Sequence, residues 1–318
     1  MSLTIAEILR GTGVGAVQSA GQMQVIPLLG DDDDTFAPPD LEVGTSHYGT
    51  VLLRNDSDRP TIVPPGAGWV VAQRAQNHAV GGGALLWPGE TRTIDTAMCI
   101  QQSQGGYIEK AKHALLILPA ALRSKALSMR RVQSFNKLWE GIQELNASFG
   151  ITMSGGHLEY FLDRFKKELD GFVAEFELVP RQVGAVILVG GKIAGIERAP
   201  SADFWKALWT PLVRICYGSL ALKVAELRKT PPATRVPLTV RDRSFAGLRD
   251  ALVEATRKEE EAMDACLSQA RAVVLEAAVQ AEEERGAVVL TTFASTRLAG
   301  QVATVNKEVR YASLCAAA

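Results

Sequence analysis

Apolar residues form two short runs around a pair of glycines in the segment VGAVILVGGKIAGIE, residues 183–197. Valine and isoleucine dominate both runs, and both residue types favour strands. A two-residue Gly-Gly loop suits a hairpin turn, because both of its positions require positive φ. The pattern therefore predicts a β-hairpin over Val183–Ile196.

A helical repeat follows this hairpin. Its apolar positions are spaced i, i+3, i+4 and i+7, which places them on one helix face: Trp205, Leu208, Trp209 and Leu212. We predict a helix from Ser201 to about Leu227 with this face in the core. Pro211 lies inside it and is expected to kink or restart the helix, because proline has no N–H to donate.

Short apolar runs separated by proline and glycine dominate the first 119 residues. The first predicted strand is Met23–Leu29. The later ones are Tyr48–Asn55, Thr61–Val63, Gly68–Val71, Gly83–Leu86, Glu90–Asp95, Ala97–Gln101 and His113–Leu118. Short strands at such close spacing predict an antiparallel sandwich or a barrel-like lobe.

Helical spacing replaces the strand pattern after Pro119. Helices are predicted over Ser128–Ser148 and His157–Phe176, and a longer helical tract over Phe245–Arg285. A helix of about 40 residues spans roughly 60 Å, which exceeds a compact lobe of this size. The long tract should therefore break within Thr256–Glu261 or protrude. Its apolar stripe predicts a packing surface between protein chains or lobes.

Three strands are predicted to close the chain: Ala287–Phe293, Leu298–Val305 and Glu308–Leu314. The predicted fold class is α+β, with an N-terminal antiparallel β-sandwich-like lobe followed by helices packed on a hairpin and a C-terminal β-meander. The expected division is a β-rich lobe at 1–119 and an α+β lobe at 120–318. A single integrated domain is the alternative.

Composition narrows the class of protein. The apolar fraction of 47% and the charged fraction of 22% are typical of a globular protein, and the formal net charge of −1 gives no field that would attract nucleic acid. The four cysteines are far apart, which predicts reduced thiols in a cytoplasmic protein. No transmembrane segment is predicted, because no apolar run is long enough to span a membrane.

Sequence motifs of common enzymes are missing from the chain. It contains no GxSxG, HExxH or P-loop motif and no Cys/His cluster at zinc spacing. We therefore predict no catalytic set, no cofactor and no metal site.

The richest polar cluster lies between two predicted strands. Arg74, Gln76, Asn77 and His78 combine a guanidinium, two amides and an imidazole, which suit recognition of a polar ligand. Alternatively, Gln76 and Asn77 satisfy backbone groups in an irregular loop.

A second cluster contains Cys99 and Gln101. A cysteine nucleophile needs a neighbouring base and electropositive surroundings. Neither is visible nearby in the sequence, so Cys99 is predicted to be a small buried hydrophobe. The candidate ligand-binding set is Arg74, Gln76, Asn77, His78, Cys99 and Gln101.

Three segments carry a family resemblance: AGWVVAQRAQNHAV at 67–80, Cys99-Ile100-Gln101, and residues 183–222. They resemble an uncharacterised prokaryotic family named for its gene-neighbourhood association with ADP-ribosylglycohydrolases and rhodanese/phosphatase-superfamily proteins. The resemblance implies an α+β protein of gene clusters tied to nucleotide signalling or conflict with phages, without an established catalytic mechanism. His78 stands where the family pattern has arginine, and Gln101 where it has glutamate. These departures disfavour catalysis.

Two functional hypotheses remain. The first is a non-enzymatic binding or assembly component, a sensor or accessory protein of an antiphage defence or nucleotide-signalling system, with a protein partner or self-association through 245–285. The alternative is an enzyme or binder acting on a nucleotide-like ligand, such as an ADP-ribose derivative, around Gln76, Asn77 and His78. Convergence of the candidate side chains in one pocket would favour the alternative.

Overall fold

The computed structural model describes residues 2–70, 76–103, 106, 108–111, 114–153, 155–228, 244–271, 273–277 and 282–317. Its strands form one sheet of 11 strands and three smaller sheets, and helices pack between and around them. The paired strands described below are all antiparallel. The α+β class predicted from the sequence is therefore confirmed.

The chain begins with short elements that join the largest sheet: β1 (Ser2–Thr4), α1 (Ile5–Ile8), β2 (Gly13–Val14), β3 (Gln18–Ala20) and β4 (Met23–Leu29). Thr4 starts α1 with a capping box, because its hydroxyl accepts the N–H of Glu7 at 3.2 Å and its own N–H donates to the Glu7 carboxylate at 2.7 Å. The boundaries of β4 agree with the prediction.

Ten short strands build the β-rich part: β5 (Glu42–His47), β6 (Thr50–Arg54), β7 (Thr61–Val63), β8 (Ala67–Val70), β9 (His78–Ala79), β10 (Ala84–Leu86), β11 (Thr91–Ile94), β12 (Met98–Cys99), β13 (Ile108–Ala111) and β14 (Ala114–Ile117). They pair in the orders β11-β6-β5-β13, β12-β9-β8-β14 and β10-β7. Their apolar side chains, Ile62, Trp69 and Leu85 among them, share a core with the largest sheet.

Four helices follow: α2 (Ala120–Ser128), α3 (Trp139–Ser148), α4 (Leu158–Arg164) and α5 (Lys166–Glu175). The helix predicted over Ser128–Ser148 is therefore wrong in its first half, since Ser128 ends α2. Turns replace helix between Met129 and Leu138, where the Ser134 hydroxyl donates to the Asn136 side chain at 2.6 Å. Such local side-chain bonds compete with helical backbone bonds.

The central hairpin is confirmed as β15 (Gln182–Val189) and β16 (Lys192–Arg198), with Gly190 and Gly191 at φ of 60° and 77°. Ser201 then caps α6 (Ala202–Pro211) by accepting the N–H of Phe204. A π-helical segment, Leu212–Tyr217, separates α6 from α7 (Gly218–Arg228). An interruption of the helix at Pro211 was predicted. It takes the form of this π-helical segment, in which the helical turn is wider than in an α-helix.

The long helical tract is only partly helical. The helix α8 (Phe245–Arg271) runs without a break through 256–261, and its first half extends into solvent. The rest of the predicted tract is wrong, because β17 (Val274–Ala277) and β18 (Glu283–Arg285) follow. Pairing of β17 with β1 and β19 (Val288–Ala294) overrides the helical propensity of this Ala/Glu-rich sequence.

The C-terminal meander consists of β19, β20 (Leu298–Val305) and β21 (Glu308–Ala316), as predicted. The largest sheet has the order β1-β17-β19-β20-β21-β16-β15-β4-β2, with β18 also on β19 and β3 also on β4. The division at residue 119 stays a prediction. Strands β1 and β4 pair with β17 and β15 of the second part of the chain, and β2 and β3 pair with β4.

Both faces of this sheet are buried. Alternate residues of β15 point to opposite sides. Ala185 and Ile187 pack in the core that contains Trp205 of α6, whereas Val186 and Leu188 pack with Leu267 of α8. Within the described ranges, no helix has both the length and the apolar character needed to cross a membrane.

Candidate functional site

The strand register brings Cys99 next to His78, because β12 pairs with β9 in that alignment. The Cys99 Sγ lies 3.4 Å from the His78 Nε2, which also accepts the N–H of Gly49 at 3.2 Å. The His78 Nδ1 lies 3.0 Å from the carbonyl oxygen of Gln76. A carbonyl oxygen only accepts hydrogen bonds, so Nδ1 carries the proton and Nε2 is the acceptor for the thiol.

Burial keeps both members of this pair uncharged. It lowers the pKa of His78 to about 4, although the hydrogen bond to Gln76 acts in the opposite direction. Burial likewise raises the pKa of Cys99 to about 11. His78 is 1% exposed and Cys99 fully buried, so the pair is a thiol donating to a neutral imidazole. A reactive cysteine has the opposite properties, an accessible sulfur and a lowered pKa.

The amides beside His78 bind other parts of the protein. Gln76 Nε2 donates to the carbonyl oxygen of Gln101 at 2.7 Å, and Asn77 Nδ2 donates to Glu159 Oε1 of α4 at 2.6 Å. The structure thus brings together Gln76, Asn77, His78, Cys99 and Gln101, and Arg74 lies outside the described residues. Gln76, Asn77, His78 and Cys99 are buried. Their burial agrees with the alternative hypothesis, in which the amides of this loop satisfy polar groups of the protein itself.

An open depression adjoins this cluster, with a volume of about 400 Å³. Its lining residues are Gln102, Ser103, Gln143, Gly155 and His157. Gln102 Oε1 accepts the N–H of Gly156 at 2.7 Å, which fixes the loop before α4 against the strand end. Gln101 itself is half-buried, and the exposed side chains begin at Gln102.

The acidic run Asp31–Asp34 forms bonds to distant parts of the chain. Asp33 pairs with Arg310 at 3.0 Å and Asp34 with Arg59 at 3.3 Å, and the Asp32 carboxylate accepts the N–H of Ala202 at 2.7 Å. These contacts attach the run to the start of α6, to β21 and to the loop before β7. Among the described residues, no three His, Cys, Asp or Glu side chains converge as metal ligands would.

A second concave site lies between β10, β11, the end of α2 and the largest sheet. We call it the arginine cleft, with an enclosed volume of about 160 Å³ and a lining that includes Gly81–Gly83, Arg92, Arg130, Arg131, Glu282, Glu283 and Gln301. Arg92 Nη1 donates to both oxygens of Glu283 at 2.7 and 2.8 Å. Arg131 Nη2 donates to Glu282 Oε2 at 2.7 Å.

Sequence reasoning missed the arginine cleft. Its arginines and glutamates are more than 100 positions apart in the chain, and only the fold brings them together. The available signal was the triple glycine at 81–83, which allows the backbone to approach neighbouring elements closely. A Cβ at Gly81 would lie 2.3 Å from the carbonyl oxygen of Ala126 in α2.

Comparison with known proteins gives one match. The family model of the ARG and Rhodanese-Phosphatase-superfamily-associated Protein domain matches residues 11–294. No curated protein and no solved structure matches the chain significantly. The match includes β2 to β19 and, of the residues that line the two concave sites, all except Gln301.

Proposed function

This chain belongs to the ARG and Rhodanese-Phosphatase-superfamily-associated Protein family, and on that basis we propose that it is a non-enzymatic binding or assembly component of a prokaryotic antiphage defence or nucleotide-signalling system. The family's name associates its members with other proteins, which supports an accessory role. The buried, uncharged pair of Cys99 and His78 also supports binding over nucleophilic catalysis, because neither group reaches a substrate in its reactive form.

The observation that carries this proposal is the exposed first half of α8, residues 245–261, which we call the protruding segment. Phe245 is 94% exposed and Leu252 is 51% exposed, although both are large and apolar. Further along the same helix, Leu267 is 2% exposed and packs on the sheet. The second half of α8 therefore fixes a helix whose first half presents apolar side chains to solvent.

A second copy of this chain is the partner that suits the protruding segment. Its charged side chains pair within the helix: Arg257 lies 2.8 Å from Glu254, and Lys258 lies 3.4 Å from the same carboxylate. The whole segment has three basic and five acidic side chains, so its net charge is −2. A two-fold dimer brings identical patches together, so the apolar stripe of one copy can pack on the apolar stripe of the other.

Light scattering on the purified full chain tests this assignment. We expect a dimer at micromolar concentration, and we expect Leu252→Glu to give a folded monomer because the new carboxylate would be desolvated at the contact. Gln269→Glu is the matched control, since Gln269 is exposed on the anchored half of α8. A monomeric unmodified protein, or a dimer that tolerates Leu252→Glu, would refute self-association through this segment.

Binding of a nucleotide-like ligand, such as an ADP-ribose derivative, is the second candidate function. The observation that favours it is the open depression beside Gln101, because polar groups line a concavity that solvent can enter. A saturating ligand raises the free energy of unfolding by mass action, by roughly 2.7 kcal/mol at a hundred times its Kd. Stabilisation by ADP-ribose that Gln143→Ala removes would support this function, and an unchanged melting temperature would contradict it.

A further inference from the structure

The arginine cleft has a polar lining that the proposed assembly role does not use. The protruding segment contributes no residue to it, so an inference about the cleft is independent of self-association. Its volume of about 160 Å³ is several times what one water molecule requires.

Hydrogen-bond donors in the cleft exceed the acceptors that its own residues supply. Among the described residues, Arg92 donates only through Nη1 and Arg131 only through Nη2. A guanidinium carries five N–H donors, so each side chain retains free ones. The backbone N–H groups of Gly81 and Gly82 also have no acceptor within the described residues, whereas Gly83 donates to Gln301.

The two glutamates hold the arginines in position. Glu282 Oε1 accepts from Arg130 Nε at 2.8 Å and from the Thr292 hydroxyl at 2.6 Å. Burial alone would raise the pKa of Glu282, but these bonds outweigh it and lower the pKa, so the side chain is a carboxylate. Three guanidiniums facing two carboxylates leave the lining with a net positive charge.

We propose that the arginine cleft binds a phosphate group, either as free inorganic phosphate or as the terminal phosphate of a nucleotide. The cleft offers two kinds of donor to phosphate oxygens, the backbone N–H groups of Gly81 and Gly82 and the guanidinium forks of Arg92 and Arg131. Arginine forks match phosphate geometry, and their charge-assisted bonds are stronger than neutral ones. The glutamates orient these forks without occupying all of their donors.

Calorimetric titration of the full chain, at constant ionic strength, tests this site with inorganic phosphate in one arm and AMP in the other. We expect saturable binding of one phosphate per chain. Arg131→Gln should raise the Kd about tenfold, because one charge-assisted hydrogen bond to the phosphate is lost. Arg131→Lys keeps the charge without the fork and should also weaken binding, which preserves the test if Arg131→Gln does not fold. Arg257→Gln, on the protruding segment, is the matched control and should bind as the unmodified protein does.

The two arms distinguish the source of the phosphate. Tighter binding of AMP indicates a nucleotide, whereas equal or weaker binding of AMP indicates free phosphate, and either result supports the site. The proposal is overturned if neither compound binds. It is also overturned if both Arg131 variants bind as tightly as the Arg257→Gln control, because the phosphate would then lie elsewhere.

Discussion

Arg123 and Glu197 form an ion pair within the core, with 2.6 Å between Nη1 and Oε1 and each side chain 2% exposed. The Glu197 carboxylate also accepts from the hydroxyls of Tyr217 and Ser313, both at 2.6 Å. Arg123 Nε donates to the carbonyl oxygen of Pro65 at 3.2 Å. Burial by itself lowers the pKa of Arg123, but Glu197 raises it well above its ordinary value. The pair thus joins α2, the largest sheet and the β-rich part.

Removing the carboxylate of Glu197 should destabilise the fold strongly. We expect Glu197→Ala to lower the free energy of unfolding by about 3–5 kcal/mol, because Arg123 would remain buried without a counter-charge. Urea denaturation measures the change, and Ser313→Ala, which removes hydrogen bonds but no charge, is the control with an expected loss of about 1 kcal/mol. Equal losses in the two variants would contradict this account.

Acidification should weaken the fold through His78. Its pKa is lowered in the native state from 6.5 to about 4, so the unfolded chain binds the proton more tightly. The stabilising contribution is complete above pH 6.5 and is lost as the pH falls toward 4. Across this range, the free energy of unfolding should fall by about 3 kcal/mol. Urea titrations across this window measure it, and the slope should fall in His78→Gln but stay unchanged in His47→Gln.

Trp209 should be a major contributor to the core on one face of the largest sheet. It is buried against Trp205, with ring centroids 5.8 Å apart. We expect Trp209→Ala to lower the free energy of unfolding by about 3–5 kcal/mol. Lys206→Ala, an exposed position of the same helix, is the control and should change it little. Unchanged melting of Trp209→Ala would show that α6 is peripheral.

Replacing Gln76 and Asn77 together with alanine should destabilise the protein. From the sequence alone, this change is expected to leave the fold intact, as loops tolerate substitution. Both amides are buried, however, and both donate hydrogen bonds. The double variant removes the bond from Gln76 to the carbonyl oxygen of Gln101 and the bond from Asn77 to the carboxylate of Glu159. We expect the free energy of unfolding to fall by about 1–3 kcal/mol for each group left unsatisfied. Thermal unfolding checks this against Gln143→Ala, and equal melting temperatures would refute the structural role.

Local chemistry explains which elements the sequence predicts. The hairpin turn at Gly190-Gly191 is set by residues that tolerate positive φ, and it occurs as predicted. In the meander turn, Asn306 likewise has a positive φ, of 51°. The stretch after Arg271 is different. Its alanines and glutamates favour helix, and pairing with other strands converts it to β17 and β18. One partner of β17 is the distant β1, whereas β18 pairs with the neighbouring β19.

The candidate sites depend on long-range contacts to different degrees. Gln76–His78 and Cys99 lie together because the short strands β9 and β12 pair. The polar residue types in the sequence were therefore enough to identify this cluster. Burial of Cys99 was predicted and is confirmed. Complete burial of Gln76, Asn77 and His78 was not predictable, because it depends on α3 and α4 covering that sheet. The arginine cleft needed the pairing of Glu282 with Arg130 and Arg131, which no local pattern encodes.

The sheet order also constrains when the protein can fold during synthesis. Leu3 of β1 pairs with Leu275 of β17, and Ile26 of β4 pairs with Val186 of β15. The N-terminal strands leave the ribosome long before their partners exist, so their backbone N–H and C=O groups must stay hydrated or be shielded until the rest of the chain emerges. Contacts this distant in sequence slow folding and prolong the exposure of unpaired strand edges. Nascent chains of this protein should therefore depend on chaperones more than a fold of local hairpins would.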